Sequence, residues 1–259
     1  NAPDLAEAQD KVKTAFDALA ARGAEAVRAF QLDKSFAELN KAHQTLVQTP
    51  LAATPDATFQ AHTDFIQVAM DLVREIADSS QLALDPELDT AHMMWMSVVR
   101  GPQQTENVGR LRGLGTMILK SKELTQSRRD LIQRWYAMWS YLDDEVENSY
   151  KQGIERFPDV AALFDMKGTD EASEAFRKAI ETQLLGVEPT GEASAFLTLA
   201  NLAIDKQSEL TRLVMERLDA QLQARHARLQ AMLALQGGVA LLFVALAGYL
   251  LLAFYKVMM

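Results

Sequence analysis

The chain has 259 residues, a formal net charge of −9, and Asp, Glu, Lys and Arg at 24% of positions. An acidic balance of this size excludes a nucleic-acid partner, since phosphate binding needs a basic surface. The absence of Cys excludes a disulfide framework, a thiolate nucleophile and a Cys metal site, and His43, His62, His92 and His226 form no HxxxH or HExxH pair.

Ala, Leu, Glu, Gln and Arg dominate, and no run alternates as a half-buried strand does, so the fold class is all-α. The pattern predicts a first helix from about Pro3 to Gln48. Its apolar face begins with Leu5, Val12, Phe16 and Leu19. Leu32, Phe36, Leu39, His43 and Leu46 continue it at spacings of 4, 3, 4 and 3, the spacing of a bundle or coiled-coil seam. Gly23 is the expected kink, and His43 is read as a core or interface His. Residues 49–55 form a loop. Thr54, Pro55 and Asp56 then supply a capping hydroxyl, a first-turn Pro and an acid at the positive end of the dipole. The second helix runs to about Ser80, with His62, Ile66, Ala69, Val73 and Ile76 on one face.

Residues 78–89 break and restart the chain, with Asp85 as cap and Pro86 opening the third helix. Met93, Met94, Trp95 and Met96 are read as core filling. Gly101-Pro102 should kink this helix without ending it. Beyond it, Val108, Leu111, Gly115 and Ile118 form a seam. Gly109, Gly113 and Gly115 each cost about 1 kcal/mol against Ala in a helix, so the close approach of another helix or of a ligand is expected there. Arg110 and Arg112 flank the seam on either side of Leu111.

A fourth helix runs from about Leu124 to Gln152 with Trp135, Trp139, Leu142 and Val146 as its seam and Arg134 and Tyr136 beside it. Asp143, Asp144, Glu145 and Glu147 read as a solvated face; without a Gly-rich acidic loop or His partners they do not make a metal site. Phe157-Pro158 ends this helix. A fifth starts at Gly168-Thr169-Asp170 and reaches about Leu185, and residues 186–191 turn the chain. The last helix starts near Glu192 on a face of Phe196, Leu199, Leu210, Val214, Leu218, Leu222, Leu229 and Met232.

With no Pro to stop it, the last helix should run into Gly237–Tyr255, 19 residues without a charge. At about 1.5 Å per residue that stretch matches the hydrocarbon core of a bilayer. Lys256 just beyond marks the cytoplasmic side. Residues 1–236 are then a soluble domain outside the cytoplasm, 237–255 a transmembrane helix, and 256–259 the start of a cytoplasmic segment. Asn1 as first residue suggests a chain cut behind an upstream membrane segment and ahead of a cytoplasmic part.

The expected first and last soluble helices, each about 70 Å long, imply a topology. One climbs and the other returns; the second and third helices descend in series and the fourth and fifth climb in series. The result is an elongated antiparallel bundle of two stacked four-helix modules sharing two long helices. Arg110 and Arg112 then come near Trp135 and Trp139 in the membrane-proximal module.

Three stretches, DSSQLALDPELD (78–89), VGRLRGLGTMIL (108–119) and the final helix entering LLFVALAGYLLLAFYKVMM (241–259), resemble the extracytoplasmic sensor region of bacterial methyl-accepting chemotaxis receptors, in its helical bimodular class. The resemblance covers essentially the whole chain. VGRLRGLG is also similar to the helix motif of nitrate- and nitrite-sensing domains, but that motif's acid is replaced by Leu111, so nitrate is not carried over. The resemblance implies a periplasmic sensor in the bacterial inner membrane, working as a homodimer and binding a small molecule among bundle helices to control chemotaxis. Similar regions also front histidine kinases and diguanylate cyclases, and a membrane-anchored structural protein without a ligand remains the third reading. A small organic anion is the expected ligand, because Arg pairs carboxylate in bidentate geometry. Arg110, Arg112 and Arg134 are the candidate cations and Trp135, Tyr136 and Trp139 the walls. No cofactor or catalytic activity is expected, since no nucleophile, base and orienter converge in the sequence.

Overall fold

The computed structural model describes residues 2–48, 54–155 and 158–259. The expectations for Asn1, the Leu5 side chain, residues 49–53 and Phe157 lie outside the described residues. Among those described there is no strand, so the chain is all-α as read. It divides into two units, Asn1–Met215 and Glu216–Met259.

The expected first helix is two: α1 (Ala2–Phe30) and α2 (Asp33–Gln48). Gly23 is not the break. The break is at Gln31, which takes φ 58°, the left-handed region. The Leu32 N–H then reaches back to the Val27 carbonyl at 2.9 Å, and both side chains enter one apolar cluster. This is a Schellman ending with its hydrophobic contact, made without the usual Gly. The chain reverses there. Phe16 stacks on His43 and Gly23 faces Phe36, so α1 and α2 are an antiparallel hairpin. His43 is the interface His the spacing predicts, whereas Val12 and Leu19 are exposed.

α3 (Pro55–Ser79) starts as read, with Thr54 Oγ1 accepting from the Ala57 N–H at 3.3 Å. Its buried residues are Leu72 and Ala77; His62 is exposed and Val73 only half-buried. Phe65, Val68, Ala69 and Ile76 pack with Leu32 and Leu39 of the hairpin. Gln81, again left-handed at φ 61°, and a 3₁₀ turn (Leu82–Leu84) end the segment. Asp85 does bind backbone, accepting from the Glu87 N–H at 2.9 Å, but α4 (Leu88–Met94) begins two residues after Pro86.

Gly101-Pro102 does not end the helix, as expected: α4 passes through a π-helical stretch (Trp95–Arg100) into α5 (Gly101–Ser121). Pro102 lacks an N–H and crowds the carbonyl one turn earlier, and the Gly101 N–H bonds the Met96 carbonyl five residues back. A widened turn of this kind absorbs the Pro ring while the helix continues.

α5, α6 (Gln126–Gly153), α8 (Met166–Gln183) and the start of α9 (Ala193–Met258) form one antiparallel four-helix bundle; α7 (Pro158–Ala161) is a single turn between α6 and α8. Cross-contacts fix the directions. Arg100 meets Glu145 and Arg110 overlies Trp135, which sets α5 against α6. Tyr136 bonds Glu181 and Trp139 packs on Phe176, which sets α6 against α8. Gly115 abuts Phe196 and Gly101 abuts Thr211, which sets α5 against α9. The core holds Leu111, Leu114, Ile118, Ile132, Trp139, Phe176, Ile180, Phe196 and Ala200, all nearly inaccessible to water.

The fourth and fifth expected helices therefore lie side by side and do not climb in series. With the first helix folded into a hairpin, two stacked modules sharing two long helices are not what the chain builds. Periodicity gives a helix its buried face but leaves open whether successive helices stack end to end or turn back.

Within its own unit, α9 beyond Glu216 has little cover. Leu229 and Met232 are about half exposed, and the side chains of the uncharged stretch 237–255 point outward. α9 holds one segment long and apolar enough to cross a membrane.

Candidate functional site

The six expected site residues do not converge. Arg110 is already held: its Nε donates to Glu106 Oε1 one turn earlier at 2.7 Å, and its guanidinium lies over the Trp135 ring at 5.9 Å. Burial pushes the Glu106 carboxyl above its usual range, with Arg110 and then Arg112 pulling back. Arg112 points the other way and donates from Nη1 to Asn201 Oδ1 of α9 at 2.9 Å. Arg134 is exposed. Trp135 leans on Phe59 of α3 at 5.7 Å between ring centroids. Tyr136 donates to Glu181 of α8, and burial followed by that bond pushes its phenol up to about 12. Trp139 is fully buried among core rings.

The Gly-rich part of α5 owes its composition to helix contact. A Cβ on Gly115 would meet Phe196 at 2.5 Å, and one on Gly113 would meet Phe59 at 2.8 Å. Gly109 has no such neighbour: its Cβ would find only Glu106 Oε2, at 3.9 Å.

The closing of Phe59 onto Gly113 leaves an open groove of about 710 Å³ between the first turns of α3 and the last turns of α5. Thr58, Phe59, Thr116, Met117, Lys120 and Ser121 line it, with Pro55 at one edge. Lys120 is exposed and forms no ion pair among the described residues. The wall is apolar with an aromatic ring, several hydroxyl residues and one free cation, a composition that suits a small amphipathic anion. The groove adjoins the Arg110–Trp135–Phe59 stack but takes its cation from Lys120, which the sequence pattern did not single out.

A second polar feature was also missed. Asp143 and Glu145 are not a solvated face. Glu145 pairs with Arg100 at 2.6 Å. Asp143 accepts from Gln104 Nε2 of α5 and from Arg177 Nη2 of α8 at 2.8 Å. Arg177 also donates to Ser140 at 3.0 Å and lies over Trp139 at 5.2 Å. Burial pushes the Asp143 carboxyl up, against the pull of Arg177. The signal was present in the spacing: Asp143 falls four residues after Trp139, on the side that faces inward. Asp144 and Glu147 are exposed as read.

No protein-family model, curated protein or solved structure matches the chain. Fold and composition define a class: an all-helical protein with a bundle unit and a helix apolar enough to span a membrane.

Proposed function

We propose that the chain is the ligand-sensing region of a bacterial transmembrane receptor of the chemotaxis type. In this reading residues 1–236 lie in the periplasm, 237–255 cross the inner membrane, and the receptor works as a homodimer without catalysis of its own. The observation that carries it is α9: one helix supplies Phe196, Ala200 and Ala203 to the bundle core and also contains the uncharged 237–255 stretch. A receptor needs such an element, because an event in the bundle must reach the far side of the membrane. Shifts of about 1–2 Å in a packed helix are sufficient in such transitions.

The ligand is a small organic anion. Of the sites on the molecule, the groove between α3 and α5 suits it best, with Lys120 meeting the carboxylate and Phe59 and Met117 the apolar part. Arg110 is less suited, since Glu106 already neutralises it. Occupancy of the groove acts on α5, and α5 touches α9 through Gly101–Thr211, Arg112–Asn201 and Gly115–Phe196.

The test is a fusion of residues 1–259 to the cytoplasmic part of a well-behaved chemoreceptor, with kinase output recorded against organic acids, amino acids and inorganic anions. An organic acid should change the output, and Lys120→Gln should weaken the response about tenfold or more, as loss of a charge-assisted bond implies. Output indifferent to every organic acid would sink the reading. A response that survives Lys120→Gln but is lost in Arg112→Ala would return the site to the α5–α9 face.

A further inference from the structure

Polar side chains cross the bundle core at one level. Gln104 of α5, Asp143 and Ser140 of α6, Ser173 and Arg177 of α8 and Gln207 of α9 supply it. Gln104 is 4% exposed, Ser173 2% and Gln207 2%. Their bonds join α5 to α6 through Gln104–Asp143 and α6 to α8 through Asp143–Arg177. α8 joins α9 through Gln207 Nε2 donating to Ser173 Oγ at 3.2 Å. The ring is not closed. Gln207 Oε1 is buried and has no hydrogen-bond partner. Turning the amide over only exchanges which of its ends lacks one. Gly101 abuts Thr211 and Arg112 bonds Asn201, so Gln207 falls level with Gln104 across the α5–α9 seam.

A core layer satisfied on all sides but one costs stability that an apolar layer would not. Leu or Met at position 207 would continue the apolar line of Ala200, Ala203, Leu210 and Val214 on α9. We propose that the layer gives the bundle two packings of α9: the one described, with Gln207 held by Ser173, and a second in which its amide leaves Ser173 and is held by Gln104 instead. The two packings exchange one hydrogen bond for another between buried side chains, so they lie close in free energy, the condition for a two-state element. The assignment stands on the bundle alone. Only its use in signalling rests on the receptor reading.

The experiment uses the full chain in lipid nanodiscs. The sequence has no Cys, so Ser208→Cys, at an exposed position on α9, takes a trifluoromethyl label at a single place. The expected fluorine spectrum has two resonances whose ratio changes with temperature. Gln207→Leu should collapse them to one and raise the melting temperature by about 2–4 °C, the shift typical of a chain this size for a modest gain. One sharp, temperature-independent resonance in the unsubstituted layer would overturn the proposal. Two resonances that persist in Gln207→Leu, or a variant that melts lower, would overturn it as well. None of these readouts involves kinase output, so the layer and the receptor reading can fail separately.

Discussion

Phe16 of α1 and His43 of α2 stack with ring centroids 4.0 Å apart and planes 11° from parallel. In one continuous helix those residues would be far apart; the contact exists because the chain turns back at Gln31. A double-mutant cycle over Phe16→Ala and His43→Ala reads the hairpin directly. Stacked rings of this kind couple by about 0.5–1.5 kcal/mol. Urea unfolding of the four proteins should give a coupling in that range, and strictly additive losses would place α1 elsewhere.

Gln31 itself holds the turn at a cost. A non-Gly residue in the left-handed region loses about 1–2 kcal/mol relative to a residue free of that constraint, and φ 58° is within that region. Gln31→Gly should therefore stabilise the hairpin, by about 1 kcal/mol once the looser unfolded chain is allowed for. A lower melting temperature in the Gly variant would mean that the Gln side chain contributes something the backbone geometry does not show.

These two cases mark the limit of what was readable. Thr54-Pro55-Asp56 announced a helix start, and the cap is made by Thr54 Oγ1. The seam of Leu111, Gly115 and Ile118 is buried as its period demanded. Gln31 carries no signal, because a Schellman turn is normally advertised by Gly, and the regular apolar spacing starts only after it, at Leu32. The direction of α8 was equally silent: Phe176 and Ile180 fit a bundle whether α8 stacks on α6 or folds back beside it. Arg110 and Arg112 were legible as flanking a seam, but not the partners that occupy them. Glu106 is only an i, i+4 neighbour in the sequence, and Asn201 is brought to Arg112 by tertiary packing alone.

Gly115 and Gly109 should respond in opposite ways to the same substitution. Ala at 115 puts a methyl 2.5 Å from Phe196 Cε1 and 2.9 Å from Leu184 Cδ1. Overpacking of that kind costs about 1–3 kcal/mol, more than the helix-propensity gain offsets. Ala at 109 meets nothing closer than 3.9 Å and should keep most of its gain of about 1 kcal/mol. Chemical denaturation of both variants decides it. Phe196→Leu in the Gly115→Ala background should recover part of the loss if the clash is the cause.

Tyr136 gives the bundle a pH-dependent term at the alkaline end. Its phenol is raised to about 12, first by burial and then by the bond it donates to Glu181. The folded state thus holds this proton more tightly than the unfolded chain, whose phenol titrates near 10. The stability from Tyr136 is fully present below about pH 10 and is lost as pH rises through about 12. The ultraviolet difference between the parent chain and Tyr136→Phe should show one phenolate forming near 12. Glu181→Gln should lower that midpoint while leaving it above 10, since burial is the larger cause. A midpoint near 10 in the parent chain would mean that Tyr136 is solvated and does not tie α6 to α8.

Leu246 is the centre of the uncharged stretch 237–255; its side chain is about half exposed, and Phe243, Val244 and Tyr249 near it are more so. If that stretch crosses a bilayer, a charge there is the worst placed on the molecule. Lys at the centre of a span costs about 2.5–3.5 kcal/mol on insertion scales, roughly a hundredfold in the partition between membrane and water. Leu246→Lys should therefore move much of the chain out of the alkali-resistant membrane fraction, and Leu242→Lys added to it should release nearly all. Leu235→Lys, just outside the stretch and more exposed than Leu246, should leave retention unchanged, since its ammonium can reach the interface. The contrast between positions 235 and 246 carries the inference. Equal release from both would show that α9 holds the membrane by surface contact, and that nothing spans it in residues 237–255.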